Sequence, residues 1–242
     1  MKPSLAFALI VCFAAAASAR AADSVKIEGR VVTNDGRASV GARVSTGWYV
    51  KKGVMEPDQP AVTDADGRFR MSLQFYAKPI ALIAIDRAGK SGGMAVVEAA
   101  SAAKPVSIKL EPLVHIHGRF FCKETGQRPP WTNVYMMHLP TKVRVLACDS
   151  ELAEFSFVLP PGEYRFWGYG TNIKNHYQNL TLSSAQPEVE LGTIDVPATV
   201  IGKHIGKAPP AWKVTDARGL KKDVRLEDFK GKWVLLEFWG FW

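Results

Sequence analysis

Short stretches of alternating apolar and polar residues, broken roughly every ten positions by turn residues, recur from Val25 to Val196. This rhythm restricts most of the chain to an all-β architecture. Phe69, Met71 and Leu73 alternate with Arg68, Arg70 and Ser72, the period of a half-buried strand. Val25, Ile27 and Val31 mark one face of an earlier strand, and Gly41 to Val44 begins another. Asn34-Asp-Gly36 supplies the turn residues between runs. Ile80 to Ile85 is continuously apolar, which suits a strand in a sandwich interior, and Val106, Ile108 and Leu110 alternate before Pro112.

The pattern then repeats. Val114 and Ile116 face one way and His115 and His117 the other. Val134 and Met136, then Val143 and Val145, begin further strands. Phe155, Phe157 and Leu159 lead into Pro160-Pro-Gly162, a strong turn signal, and Tyr164 and Phe166 resume beyond it, so Phe155 to Tyr169 reads as a hairpin. Leu180 and Leu182, Val189 and Leu191, and Ile194 and Val196 complete the set. Each run of strands is long enough for its own core. The expected organisation is therefore two tandem β-sandwiches, over 23–111 and 112–197, and not one large sheet.

Several residues in these modules carry potential chemistry. Asp64, Asp66 and Gly67 have a calcium-loop flavour, but the rest of such a loop is absent, and a hairpin turn explains them as well. His115-x-His117 has the spacing of two metal ligands on one strand face. A third ligand would come from elsewhere, with His138 and His176 as candidates. Two solvated histidines are the plainer reading, and no metal or other cofactor is expected. Cys122 and Cys148 are candidates for a structural disulfide in an exported protein, or lie apart on separate strands. Their spacing is not that of a catalytic Cys-x-x-Cys. Trp131, Trp167, Tyr169 and Tyr177 line a sugar-binding face, fill a sandwich core or pack against a neighbouring domain. Asn179-Leu-Thr181 is a formal glycosylation sequon of little weight.

The chain opens with Lys2, a short apolar run from Leu5 to Ala17 and small residues near Ala19 to Ala22. These are the parts of a secretory signal peptide, placed at 1–22. The run is short for a membrane span, so no stable span is expected after cleavage. The cut would remove Cys12 and leave Cys122 and Cys148. The net charge of +8 is scattered, with no basic run interleaved with aromatics, so nucleic acid is not an expected partner.

The last segment, 198–242, breaks the β rhythm. Trp233 to Phe238 is an almost unbroken apolar run, the signature of a central strand buried on both faces of a parallel sheet. Glu237 interrupts it, and a carboxylate in such a strand must be paired, neutralised or useful. Three groups of residues here resemble the opening of a thioredoxin-like domain of the TlpA/redoxin type: Gly206-Lys-Ala-Pro-Pro-Ala-Trp212, Leu226-Glu-Asp-Phe-Lys-Gly-Lys232 and Leu236-Glu-Phe-Trp-Gly-Phe-Trp242.

That resemblance implies a leading hairpin from Trp212–Thr215 and Val224–Leu226, a helical turn at Leu226–Phe229, and a first central strand at Trp233–Phe238. It implies that Glu237 is the buried proton acceptor and that Trp239 and Trp242 flank the active-site turn. In the family, Cys-x-x-Cys follows directly. Here the nucleophile would fall immediately after Trp242, so the segment is expected to be an incomplete thioredoxin-like domain. A sequencing slip, a decayed gene, or a UGA codon read as selenocysteine would each account for it. The first sandwich resembles the carboxypeptidase regulatory-like, or transthyretin-like, family at Gly29-Arg-Val-Val32, Gly41-Ala-Arg-Val44 and Thr63-Asp-Ala-Asp-Gly-Arg-Phe69. Such modules support or orient a neighbour.

The fold class expected is thus mostly β, two sandwiches followed by the start of an α/β domain. The function expected is that of an exported, periplasmic or envelope thiol–disulfide oxidoreductase acting on protein thiols and disulfides, with the chain as given inactive. A binding or scaffold protein of the envelope, recognising carbohydrate or protein, and a peroxiredoxin-type peroxidase are the alternatives.

Overall fold

The structure, a computed structural model, describes residues 24–74, 79–102, 104–208, 211, 213–235 and 237. Its strands are β1 (Ser24–Val32), β2 (Arg43–Ser45), β3 (Trp48–Lys51), β4 (Val54–Pro57), β5 (Ala61–Val62), β6 (Arg68–Gln74), β7 (Ile80–Ile85), β8 (Ser91–Val97), β9 (Val106–Lys109), β10 (Glu111–Pro112), β11 (Val114–Phe121), β12 (Thr132–His138), β13 (Val143–Ser150), β14 (Glu154–Leu159), β15 (Gly162–Gly170), β16 (His176–Leu182) and β17 (Glu188–Asp195). A one-turn helix, α1 (Val200–His204), follows them.

The strands form four sheets, ordered β6-β1-β9, β10-β8-β7-β2-β5, β14-β11-β17 and β16-β15-β12-β13-β3-β4. The two halves share a plan. β1 pairs antiparallel with β6 and parallel with β9, and β11 does the same with β14 and β17. The apolar positions of the alternating runs point inward as their period requires. Ile27, Val31, Phe69 and Ile108 fill one core, and Val114, Ile116, Phe155, Phe157 and Leu159 fill the other.

The Asp64–Gly67 turn takes its plain form. The Asp64 carboxylate accepts from the backbone N–H groups of Asp66 at 2.9 Å and Arg68 at 2.8 Å, and Gly67 adopts φ 74° against the Val31 carbonyl. A Cβ there would meet that carbonyl at 2.5 Å.

The two cores are joined by residues of the first half that the alternation did not assign to the second. β3 runs parallel to β13, with Trp48 opposite Leu146 and Val50 opposite Cys148, so the β3–β4 hairpin extends the sheet of the second sandwich. Trp48 and Val50 are buried in the second core. β7 serves both cores. Its Leu82 and Ala84 face the first, and Ala81, Ile83 and Ile85 face the second. That is why Ile80–Ile85 reads as an unbroken apolar run: neither face meets water.

Phe155 to Tyr169 is not a hairpin. β14 lies in the sheet with β11, whereas β15 lies between β12 and β16. Pro160-Pro-Gly162 is a corner that carries the chain from one sheet to the other. Both prolines lack the N–H that a ladder would require. Tyr164 locks the corner by donating its buried hydroxyl to the Pro160 carbonyl at 3.0 Å, a tyrosine corner.

In the last segment, Leu226–Phe229 forms the expected helical turn, a 3₁₀ helix. The other two expected elements are only partly covered by the described residues. No strand occurs among the described residues of 205–237, and Trp212, Leu236 and Phe238 of the expected hairpin and central strand lie outside the described residues. Trp233 and Leu235 are almost fully exposed. An apolar strand needs a neighbour to take its backbone groups and layers to cover its faces. Nothing among the described residues supplies either.

Two outcomes are expected on unfolding in denaturant. Trp48→Ala should lower stability by about 3–5 kcal/mol, the cost of a cavity left by a large buried aromatic, although Trp48 belongs in sequence to the first half. Tyr164→Phe should cost about 1–2 kcal/mol by leaving the Pro160 carbonyl without its donor.

Candidate functional sites on the two sheet surfaces

Three surfaces carry the residues that the sequence singles out. The first is the outward face of the β16-β15-β12-β13-β3-β4 sheet. Register places Tyr49, Ala147, Tyr135, Trp167 and Tyr177 directly opposite one another across five adjacent strands. At about 4.8 Å between strands, this row is roughly 19 Å long. Ring centroids lie 5.3 Å apart for Tyr135 and Trp167 and 5.8 Å apart for Trp167 and Tyr177, the latter stacked at 22°.

Tyr169 sits beside the row, 5.3 Å from Tyr135, and Trp131 meets Tyr169 edge-on at 5.6 Å. The Arg144 guanidinium lies 4.8 Å over Tyr135, and Arg165 donates to the Asn179 side chain at 3.3 Å. Burial and a hydrogen bond with Tyr135 push the Tyr169 phenol up to about 12, so it stays a neutral donor at physiological pH. Trp131, Trp167, Tyr169 and Tyr177 are thus brought together outside the core. Sequence reasoning missed Tyr49 and Tyr135; strand alternation could have found Tyr135, but only the crossing of the β3–β4 hairpin brings Tyr49.

The second surface is the outward face of β14-β11-β17. His115 and His117 project from it with rings 5.0 Å apart, as the alternation of β11 dictates. Neither proposed companion joins them. His138 is packed against Tyr164 with its Nδ1 2.9 Å from the Thr141 hydroxyl, and His176 packs against Phe166. Burial lowers the His138 pKa below its ordinary value, which favours the neutral ring. The residue that does approach is Glu188 on β17. Its Oε1 is 3.0 Å from His117 Nε2 and 3.8 Å from His115 Nδ1. Glu188 was not foreseen, because parallel pairing of β11 with a strand some seventy residues later leaves no local signal. A cleft of about 1110 Å³ opens beside the histidines, bordered by Arg119, Ser156, Glu190 and Thr193 and by the tip of the β3–β4 hairpin at Lys51 and Lys52.

Cys122 and Cys148 are both buried in the second core as free thiols, so they do not form the disulfide considered from sequence. Burial pushes the Cys148 thiol up to about 11 and suppresses the thiolate that any exchange reaction needs.

The third surface is the C-terminal segment. It leaves the sandwiches through α1, whose first turn is capped by Thr199 accepting from the Gly202 N–H at 3.0 Å. Glu124 braces this exit. Its carboxylate accepts from the Ala198 N–H at 2.8 Å and pairs with Lys203 at 2.9 Å, and the bond to Lys203 holds its pKa below the usual carboxylate range. Glu237 is exposed, and Trp239 and Trp242 lie outside the described residues.

No protein-family model matches the chain. Over 39 residues the chain is 55% identical to the thiol-disulfide oxidoreductase ResA of Bacillus thuringiensis subsp. konkukian and to that of Bacillus cereus strain ATCC 10987. The ResA of Bacillus anthracis is 51% identical over the same length. Each match takes in 16% of this chain and 21% of the relative, so the chain spans about a fifth of the length of the curated relatives it matches. The match supports a thiol-disulfide oxidoreductase-like region, and with it the thioredoxin-like reading of the C-terminal part.

Among solved structures, a streptococcal ancillary pilin covers 73% of this chain and 63% of its own at 11% identity and a TM-score of 0.32. The shaft pilin SpaA of Lactobacillus rhamnosus GG covers 73% and 98% at 8% identity and a TM-score of 0.31. The chain itself is mostly β, with sandwich architecture. No helix among the described residues is long and apolar enough to cross a membrane.

Thiol counting tests the placement of the cysteines. In a chain beginning at residue 23, an aromatic disulfide reagent should modify neither cysteine in the native protein and two after unfolding without reductant. A count of zero after unfolding would mean that the two are bonded.

Proposed function

We propose that this chain is the sandwich-bearing part of an exported thiol–disulfide oxidoreductase of the thioredoxin-like, TlpA/redoxin kind. The observation that carries the reading is the 39-residue, 55% identical match to thiol-disulfide oxidoreductase ResA. On this reading the protein works in the periplasm or cell envelope and takes protein thiols and disulfides as substrates. The residues near the amino terminus fit a secretory signal.

The chemistry follows from thiol–disulfide exchange. A thiolate attacks one sulfur of a substrate disulfide and forms a mixed disulfide while the other substrate sulfur leaves. A second cysteine then attacks the mixed disulfide, releasing the reduced substrate and an oxidised Cys-x-x-Cys. That dithiol is not among the 242 residues, whose cysteines are Cys12, Cys122 and Cys148. By the resemblance, the family's nucleophilic cysteine follows the position that Trp242 matches. Glu237 would be enclosed by the strands that complete the domain and would take the proton of the second cysteine. Trp239 and Trp242 would shape the mouth of the site. A lone cysteine in a Thr/Pro-rich loop would instead make the domain a peroxidase.

A specific observation favours a second role for the sandwiches themselves. The aligned row from Tyr49 to Tyr177, edged by Arg144, Arg165 and Asn179, offers flat π faces beside hydrogen-bonding groups. That combination suits a glycan strand of the envelope, whose sugar rings present C–H faces and equatorial hydroxyls. The sandwiches would then anchor the redox domain on the wall polymer.

Insulin reduction with dithiothreitol as electron donor separates these roles. The 242-residue chain should show no turnover above the uncatalysed rate. The protein extended by the continuation of its reading frame should turn over, and Glu237→Gln in that form should slow it about 10²-fold, the scale of a lost general base. If the native protein ends at Trp242 by intact mass and no thioredoxin-like sequence follows in any frame, the oxidoreductase reading fails. Sedimentation with insoluble wall polysaccharide should fall at least fivefold in Trp167→Ala/Tyr177→Ala, and equal sedimentation would remove the anchoring role.

A further inference from the structure

We propose that the outward face of the β14-β11-β17 sheet binds a divalent transition-metal ion through His115 Nδ1, His117 Nε2 and a Glu188 carboxylate oxygen. The three donor atoms come from two strands whose backbones are fixed by the sheet. β11 places both imidazoles on one face, and the parallel register sets His115 opposite Glu188 and His117 opposite Glu190. All three donors already lie within 4.8 Å of one another. Bonds of about 2.0–2.1 Å in a tetrahedral zinc site put donor atoms roughly 3.3 Å apart. The separation of 3.0 Å between His117 and Glu188 is near that value, and the 3.8 Å between His115 and Glu188 closes with a small turn of the His115 ring.

His115 is also oriented for the task. Its Nε2 lies 2.8 Å from the Ser156 hydroxyl, which occupies that nitrogen and leaves Nδ1 aimed at Glu188. A polar partner on the far nitrogen is the usual support of a ligating histidine. Glu190, on the same face of β17 and opposite His117 in register, adds negative charge at the border of the cleft.

An ordinary His–Glu ion pair accounts for one imidazole beside one carboxylate. Here two stacked imidazoles turn nitrogens toward the same carboxylate oxygen, one more than such a pair uses. A dication between the three groups satisfies all of them. Two imidazoles and one carboxylate suit zinc, nickel or copper, whereas calcium and magnesium favour sets of oxygen ligands. The position left open faces the cleft, where a water or an anionic ligand would complete the coordination.

The test is a zinc titration of the tag-free chain against a chromophoric chelator, with cobalt(II) as a spectroscopic substitute. One equivalent of zinc should bind at micromolar or tighter Kd. Cobalt should give the visible absorption of a four- or five-coordinate site, and a hundredfold excess of magnesium should not compete. His117→Gln and Glu188→Gln should each weaken zinc at least tenfold. Both residues are solvent-facing, so circular dichroism should show unchanged folding. His138→Gln and His176→Gln should leave the affinity unchanged. The proposal is overturned if the wild-type chain takes up no zinc at 100 μM, on the order of a weak surface site, or if His117→Gln and Glu188→Gln bind as tightly as the wild type.

Discussion

The arrangement depends most on the parallel pairing of β3 with β13. Through it Trp48 and Val50, encoded in the first half, become part of the second core. Parallel neighbours cannot be joined by a tight turn, so this contact is necessarily long in sequence. Its ordering cost is recovered by burying a tryptophan and by giving the edge of β13 a partner. β7 reinforces the junction from the other side, since its two faces belong to different cores. The two sandwiches consequently share side chains and not merely a linker.

Strand existence and facing were legible because they depend only on local alternation. His115 and His117 outside and Val114 and Ile116 inside follow from the period of two, and the burial pattern of β11 agrees. The Asp64–Gly67 turn was legible because its chemistry lies within five residues. Partnership was not legible. Pro160-Pro-Gly162 signals a reversal equally well for a hairpin and for a corner between sheets, and only the tertiary bond from Tyr164 shows which it is. The crossing of β3–β4, the approach of Glu188, and the separation of Cys122 from Cys148 into a shared core without a bond all involve residues far apart in the chain.

The C-terminal segment shows the opposite balance. Its motif is specific enough to match thiol-disulfide oxidoreductases over 39 residues, yet its described residues hold no strand. Trp233, Leu235 and Glu237 have the composition of a buried central strand but are exposed. A local pattern names the environment a segment is suited to; the environment has to come from other strands and helices. The alternating runs of the sandwiches find theirs within the chain, whereas the described residues of this run, Trp233, Val234, Leu235 and Glu237, are exposed.

The braced exit at Thr199, with Glu124 holding both the Ala198 N–H and Lys203, has a geometric consequence. Because β3 and β7 tie the two sandwiches together, the aromatic row, the histidine face and this exit stand at fixed distances and angles from one another. Whatever follows the exit is confined to a limited volume around it. A polymer or protein held on either face would be presented to that volume at an effective concentration set by the reach of the segment after α1, not by the bulk solution. Shortening or stiffening the segment from Ile205 onward would therefore change the encounter rate without altering any contact in either site.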